Sequence, residues 1–283
     1  MYTIARLQSH YSGERKDTMS EIVLDCFPLG TNLLPNIDER KLRVAFEEHL
    51  RQYWGGIHES VAFHTISVID AYKCIHEVAT TFSIHGIEDS KVLLMVLDDV
   101  IQPNGHAFLF DGLAIAYYAI KAGYSLEYHR VFSTHEIIHA IHYQLSPTCY
   151  FNTIERHRHT GRQLLTEGIA TTLSAQILNI SMEKALWADI WPKNEIESWI
   201  RTCADSREDL FANALLSFNK ASPLGMFDYV IDAEPIISRS GYWIGANFIQ
   251  HLINNGWSHV EILAAPYSTL SPILKMWLEQ GGA

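Results

Sequence analysis

The chain is short of basic residues. Lysine and arginine together number 21, against 32 aspartates and glutamates, so the formal net charge is −11 at pH 7. This balance argues against a nucleic-acid-binding protein, which ordinarily carries a basic patch. An acidic surface is typical of a soluble cytoplasmic enzyme, and we expect a cytoplasmic location and no nucleic-acid partner.

Cysteines are few and long apolar runs are missing. The four cysteines are scattered and include no C-x-x-C pair; they are Cys26, Cys74, Cys149 and Cys203. They predict neither a disulfide framework nor a second zinc site, and we expect buried or free thiols in a reducing compartment. No uninterrupted apolar run reaches about 18 residues, and the N-terminus lacks the apolar core of a secretory signal. We therefore expect no membrane partner.

The composition is otherwise that of a globular protein. Apolar residues make up 48% of the 283 residues, which is enough for a large core. We expect a single domain over residues 1–283 with two sublobes, at about 1–145 and 146–283. Residues 1–35 look irregular, and a helix is predicted over residues 38–54. Residues 60–82 carry mixed helical and strand signals. The sequence predicts no oligomeric state.

The most informative segment is His135-Glu136-Ile137-Ile138-His139, which has the pattern H-E-x-x-H. Residues four apart lie on one face of a helix, so His135 and His139 can bind one zinc ion together. Glu136 then lies where it can act as a general base on a zinc-activated water. The pattern therefore indicates a metal, a nucleophile and a base in one short segment.

The surrounding residues predict a helix for this motif. Neither proline nor glycine interrupts residues 128–145, and isoleucines line one side of the histidine face. Ser133 or Thr134 could cap its start, although the helix could also begin earlier, near Leu126. It should end before Pro147, because a residue that precedes proline avoids the helical region.

A catalytic zinc ion normally takes three protein ligands, so a third is needed. His142 lies seven residues from His135, about 10 Å along a helix axis, which is too far for one ion. The extended metzincin spacing is also absent, since it would require glycine at 142 and histidine at 145. Glu167 is the better candidate, because it heads a periodic helical run over residues 164–180. The small residues Gly168 and Ala170 beside it would let that helix approach the histidine helix closely.

Strand signals precede the motif. Apolar runs at residues 91–97, 106–110 and 113–120 are separated by turn-like segments at 103–105 and 111–112. They predict a small sheet leading into the metal helix. Residues 112–119 could form an edge strand that pairs with an extended peptide by strand addition.

With H-E-x-x-H followed by Glu167-Gly168-x-Ala170, the chain resembles the gluzincin metallopeptidases. It most resembles bacterial zinc-dependent peptidases whose substrate is uncharacterised, over about residues 91–266. The resemblance implies an α+β, zincin-like fold in which a small mixed sheet packs on the H-E-x-x-H helix, with a mainly helical C-terminal lobe. It also implies one Zn²⁺ per chain, bound by His135, His139 and Glu167, and a peptide or protein substrate.

The resemblance extends to a weaker match at residues 241–245, where related peptidases carry a similar Gly-Tyr-x-x-Gly helix. By analogy, Tyr242 could donate a hydrogen bond to the oxyanion, with His157, His159 and Tyr229 as alternatives. One departure concerns the residue four after the ligand glutamate. Thermolysin-like enzymes have an aspartate there, and this chain has Thr171, which argues against a thermolysin-like assignment.

Two other functions compete with a peptidase. The first is a zinc hydrolase of a small amide substrate, which a closed pocket would favour. The second is a non-catalytic, zinc-bearing protein that binds a peptide. A fourth protein ligand, such as His142 or His157, would favour the second, because structural zinc sites are closed.

Overall fold

The structure is a computed structural model that describes residues 5–7, 24–29, 40–42, 44–45, 48–49, 92–97, 105–119, 124–150, 159–227 and 237–282. The chain divides into two compact units, Met1–Gln144 and Leu145–Ala283. The predictions for residues 60–82, the turn residues 103 and 104, Cys74, His157 and Tyr229 lie outside the described residues.

The first unit contains a five-stranded mixed sheet with the order β1-β2-β3-β5-β4. Strands β3 and β5 run parallel, whereas the other neighbouring pairs are antiparallel. The strands are β1 (Ala5–Leu7), β2 (Leu24–Leu29), β3 (Val92–Leu97), β4 (Gly105–Phe110) and β5 (Leu113–Ala119). The last three confirm the predicted strands to within a residue or so.

Strands β1 and β2 correct the expectation that residues 1–35 are irregular. Pro28 and Gly30 suggested a loop, because both residues are disfavoured in strands. In the structure Pro28 is nevertheless paired opposite Leu93 of β3. A partner more than 60 positions away in the sequence overrides the local preference here, and local patterns cannot reveal such a partner.

A tight hairpin joins β4 to β5. Asp111 and Gly112 both have positive φ, 50° and 76°, as a two-residue type I′ turn requires. This turn places Phe110 opposite Leu113 and Gly105 opposite Tyr118. Because β5 is paired on both sides, the expectation that residues 112–119 form an edge strand is wrong; β4 is the edge strand on that side of the described sheet.

Helix α1 (Leu126–Leu145) packs on one face of this sheet. The Tyr118 hydroxyl lies 2.9 Å from Nδ1 of His129, and the backbone N–H of Ala114 donates to Gln144 Oε1 at 3.0 Å. On the opposite face, the Tyr117 hydroxyl lies 3.1 Å from Nε2 of His49. His49 belongs to a segment that is helical at residues 40–42, 44–45 and 48–49, in agreement with the predicted helix over 38–54.

The described part of the second unit is mainly helical, so the fold class is α+β. After a 3-10 turn at Pro147–Cys149, its helices are α2 (Thr160–Leu178), α3 (Met182–Trp187), α4 (Lys193–Asp205), α5 (Arg207–Leu216), α6 (Ser240–Asn254), α7 (His259–Ala264) and α8 (Tyr267–Glu279). In the described part of the chain, no helix combines the length and the apolar character needed to cross a membrane.

Helices α2 and α6 cross closely at two glycines. A Cβ built on Gly168 would lie 2.7 Å from the Cα atom of Gly245, which is far inside ordinary contact distance. The Thr172 hydroxyl donates to the Ala246 carbonyl at 3.3 Å beside this crossing. Gly168 was predicted to let α2 approach the histidine helix; that was wrong, because the space at Gly168 is taken by α6.

Two of the four cysteines have side chains that the structure describes, and both agree with the prediction of buried or free thiols. Cys149 and Cys203 are free and buried. Burial raises the pKa of both thiols, and that of Cys203 rises to about 12. A neutral, inaccessible thiol is a packing residue rather than a metal ligand or a nucleophile.

Candidate metal centre

Helix α1 begins at Leu126, about one turn before its first buried histidine, His129. The Ser125 hydroxyl accepts a hydrogen bond from the backbone N–H of Tyr128 at 3.0 Å, which caps the helix start. The start near Leu126 is therefore confirmed, and a cap at Ser133 or Thr134 is wrong. Both of those hydroxyls lie inside the helix and donate to the Arg130 carbonyl. The helix ends at Leu145, two residues before Pro147, as predicted.

His135 and His139 lie one turn apart on α1 and are almost fully buried, with 5% and 4% of their surface exposed. Their Nε2 atoms are 3.0 Å apart. Two nitrogens bound at about 2.0–2.1 Å to one tetrahedral zinc ion are about 3.3 Å apart, so the observed spacing is close to that of a chelating pair. A hydrogen bond between two neutral rings has a similar length, and a third donor is needed to distinguish the two cases.

Glu167 is the candidate for that third donor. His135, His139 and Glu167 form a group that could hold a metal ion, with ligand atoms all within 4.8 Å of one another. No other such group occurs among the described residues. Two imidazole nitrogens and one carboxylate oxygen fit zinc in hydrolytic enzymes, where the fourth position is left open.

Glu167 lies in the middle part of helix α2, away from both helix ends. The helix was predicted to begin at residue 164, but it begins at Thr160, so Glu167 lies in its third turn. Because Glu167 is not in the first turn, a favourable interaction with the helix dipole does not explain why a glutamate occupies this position. Glu167 is half-buried on a helix whose other positions are mostly buried.

Glu136, the remaining polar residue of the motif, is also buried, with 8% of its surface exposed. It lies about 100° around α1 from His135, on the side of the sheet. A Cβ built on Gly105 of β4 would lie 2.5 Å from Glu136 Cγ and 2.8 Å from Glu136 Cδ. The glutamate side chain therefore packs directly over the backbone of the edge strand.

His142 lies outside the metal group, as its distance along the helix predicted. It is fully buried, and burial, with a smaller contribution from the neighbouring His139, lowers its pKa to about 3. His142 is therefore neutral at physiological pH. Among the described residues, no fourth ligand closes the group.

The proposed oxyanion donors lie in the second unit. Tyr242 is a half-buried residue of α6, and the Arg239 guanidinium lies over its ring, with Cζ 4.5 Å from the ring centroid. His159 precedes α2, where its carbonyl accepts from the backbone N–H groups of Arg162 and Gln163 at 3.0 Å. Hydrogen-bond donation to an oxyanion by Tyr242 or His159 stays a prediction.

Thr171 lies one turn after Glu167 on α2 and is buried. Its hydroxyl oxygen makes no hydrogen bond within the described part of the chain. This position therefore supplies a hydroxyl where a thermolysin-like enzyme has a carboxylate. The residue at which this sequence differs from thermolysin-like enzymes is therefore buried, on the same face of α2 as Glu167.

Two features of the site were not found by sequence reasoning. One is the contact of Gly105 with Glu136, and the other is the buried pair of Tyr118 and His129. Gly105 had been interpreted only as a turn residue after Pro103 and Asn104. Its role depends on the strand register, which a single sequence does not display.

The chain matches no protein-family model, no curated protein and no solved structure.

Proposed function

We propose that this protein is a zinc-dependent peptidase with a zincin-like fold, which hydrolyses peptide bonds with Glu136 as general base. The observation that carries the proposal is the grouping of His135, His139 and Glu167, with Glu136 adjacent to the first of them. The donor set is one that zinc accepts with an open coordination position. A carboxylate beside that position has the chemistry of a base for hydrolysis.

The side chains divide the chemistry between them. His135, His139 and Glu167 would hold the ion. When bound, zinc supplies a Lewis acid that makes water a usable nucleophile near neutral pH and polarises a carbonyl group. Glu136 would take a proton from the attacking water and deliver it to the departing amine, so it is needed in its ionised form at the start. Tyr242 is the proposed hydrogen-bond donor to the oxyanion.

The edge strand supports a peptide as the substrate. Strand β4 is paired with β5 alone in the described sheet, so its outer backbone groups can accept an extended chain by strand addition. Gly105, at the start of β4, touches the Glu136 side chain. A peptide that pairs along β4 would thus pass beside the general base.

The test is metal analysis and peptide cleavage on wild type and Glu136→Gln. Both proteins should bind about one zinc ion per chain, because Glu136 is not a ligand. Only the wild type should cleave a peptide library at a useful rate, since loss of a general base typically costs about 10²–10⁴-fold. Glu127→Gln is the matched control: it changes a glutamate in the first turn of the same helix, and its activity should equal that of the wild type.

The outcomes separate the competing functions. Wild type purified with care and free of zinc would rule out the proposal. Zinc with cleavage of small N-acyl amides but of no peptide would favour the small-amide hydrolase. Zinc with peptide binding and no cleavage by the wild type would favour the non-catalytic binding protein.

A further inference from the structure

Gly105 stands where a side chain would collide with Glu136. The Cβ of any other residue there would lie 2.5 Å from Glu136 Cγ and 2.8 Å from Glu136 Cδ. Real Cβ atoms essentially never approach another atom so closely, because ordinary carbon contacts are about 3.5–4.0 Å. The space of a missing side chain is thus filled by the proposed base.

The sheet register explains why Gly105 faces α1. Gly105 is the direct cross-strand partner of Tyr118, and partners in an antiparallel pair point to the same face. Tyr118 reaches His129 on α1, so that face is the one that α1 covers. His129 and Glu136 are seven residues apart, about two turns, and lie on the same side of the helix.

We propose that Gly105 is a positioning residue for Glu136: the missing side chain leaves the room in which the glutamate carboxylate is held. The inference rests on the proposed function, because it assigns Gly105 a part in placing the general base. A methyl group at 105 would push the carboxylate away while leaving His135, His139 and Glu167 in place. The base would then be present but misplaced, and misplacement by about 1 Å can cost on the order of 10²-fold in rate.

Strand packing alone could also require glycine at position 105. The same Cβ would also lie 2.7 Å from the carbonyl oxygen of Tyr117 on β5. That second contact is with backbone and persists whatever residue occupies position 136. The two explanations therefore differ in how the cost of Gly105→Ala depends on the Glu136 side chain.

The experiment is a double-mutant cycle in the full-length protein. Gly105→Ala is introduced into wild type, Glu136→Gln and Glu136→Ala, and melting temperature, zinc content, kcat and KM are measured. Glutamine keeps the Cγ and Cδ atoms that would be struck, whereas alanine removes both. Melting temperature should fall by about 2–10 °C in the Glu and Gln backgrounds and by less than half as much in the Ala background.

The kinetic readout is independent of stability. Gly105→Ala should lower kcat at least about tenfold, with KM changed less than about threefold and zinc still about one per chain. In the Glu136→Gln background the same change should cost no further activity. If Gly105→Ala does not fold, the Gly105→Ala/Glu136→Ala variant should fold, since its closest collision is gone and only the contact with the Tyr117 carbonyl oxygen remains.

Equal losses of melting temperature in all three backgrounds would overturn the proposal and assign Gly105 to strand packing alone. Failure of both Gly105→Ala and Gly105→Ala/Glu136→Ala to fold would lead to the same conclusion. An undiminished kcat in Gly105→Ala would also overturn it. If the wild type cleaves no peptide, the proposed function fails, and the melting cycle still decides whether Gly105 makes room for Glu136.

Discussion

Replacing Gly168 with alanine tests how closely α2 and α6 cross. Gly168 lies in the interior of α2, directly after Glu167, and the Cβ of an alanine there would meet the backbone of Gly245 on α6. The closest of these contacts is with the Gly245 carbonyl carbon. The contacts with its oxygen and Cα atoms would be 2.5 and 2.7 Å. Because these atoms are backbone, no rotamer change can relieve the collision.

The expected magnitude follows from two opposing effects. To reach ordinary contact, the two helices must separate by about 1 Å, and overpacking of this kind costs about 1–3 kcal/mol. Alanine is favoured over glycine inside a helix by about 0.5–1 kcal/mol. With an unyielding backbone as the obstacle, the first effect should win, leaving the variant less stable by about 1–2 kcal/mol. This corresponds to a fall in melting temperature of about 2–8 °C.

Thermal and urea unfolding, followed by circular dichroism, measure this difference. Ser198→Ala, at an exposed position inside α4, is the control for helix propensity and should leave stability unchanged or raise it slightly. Helix propensity alone predicts that Gly168→Ala is also stabilising. A melting temperature above that of the wild type would therefore refute the close crossing of α2 and α6.

Two further predictions concern buried titrating groups. The pKa of His142 is lowered from 6.5 to about 3, so the folded protein excludes a proton that the unfolded chain binds below about pH 6.5. Its contribution to stability is complete above that pH and is lost as the pH falls towards 3, by at most about 1.4 kcal/mol per pH unit. His142→Gln should thus show a shallower fall in the free energy of unfolding on acidification, measured by urea titration; equal slopes would contradict the burial of His142. Burial raises the pKa of Cys203 to about 12. At about pH 8, iodoacetamide should therefore modify this thiol only after the protein is denatured, as mapped by mass spectrometry. Rapid labelling of the native protein would contradict the burial of Cys203.

Local signals were sufficient for some elements and not for others. The end of helix α1 could be predicted because Pro147 limits it, whereas its start was left between Leu126 and a cap at Ser133 or Thr134, and the structure has it at Leu126. Strands β4 and β5 could be predicted from two apolar runs around Asp111 and Gly112, since that dipeptide suits a type I′ turn. In each case the determining residues lie within a few positions of the element.

Long-range pairing accounts for what was missed. Strand β2 is held by β3, which begins more than 60 residues later, and the parallel pairing of β3 with β5 places β5 inside the sheet. Gly168 was assigned to the wrong neighbour for the same reason, since Gly245 lies 77 positions further along the chain. Periodicity gives the face of an element that is buried; it does not identify the element that covers that face.

The hairpin turn connects this pairing problem to the proposed chemistry. Asp111 and Gly112 set the register that puts Gly105 opposite Tyr118, on the side of the sheet that α1 covers. A slip of one residue reverses every side chain of a strand, so it would turn position 105 away from Glu136 and bring a residue with a side chain into the space in which the carboxylate is held. The position of the proposed base therefore depends on two residues at the far end of the hairpin as well as on the H-E-x-x-H helix that carries it.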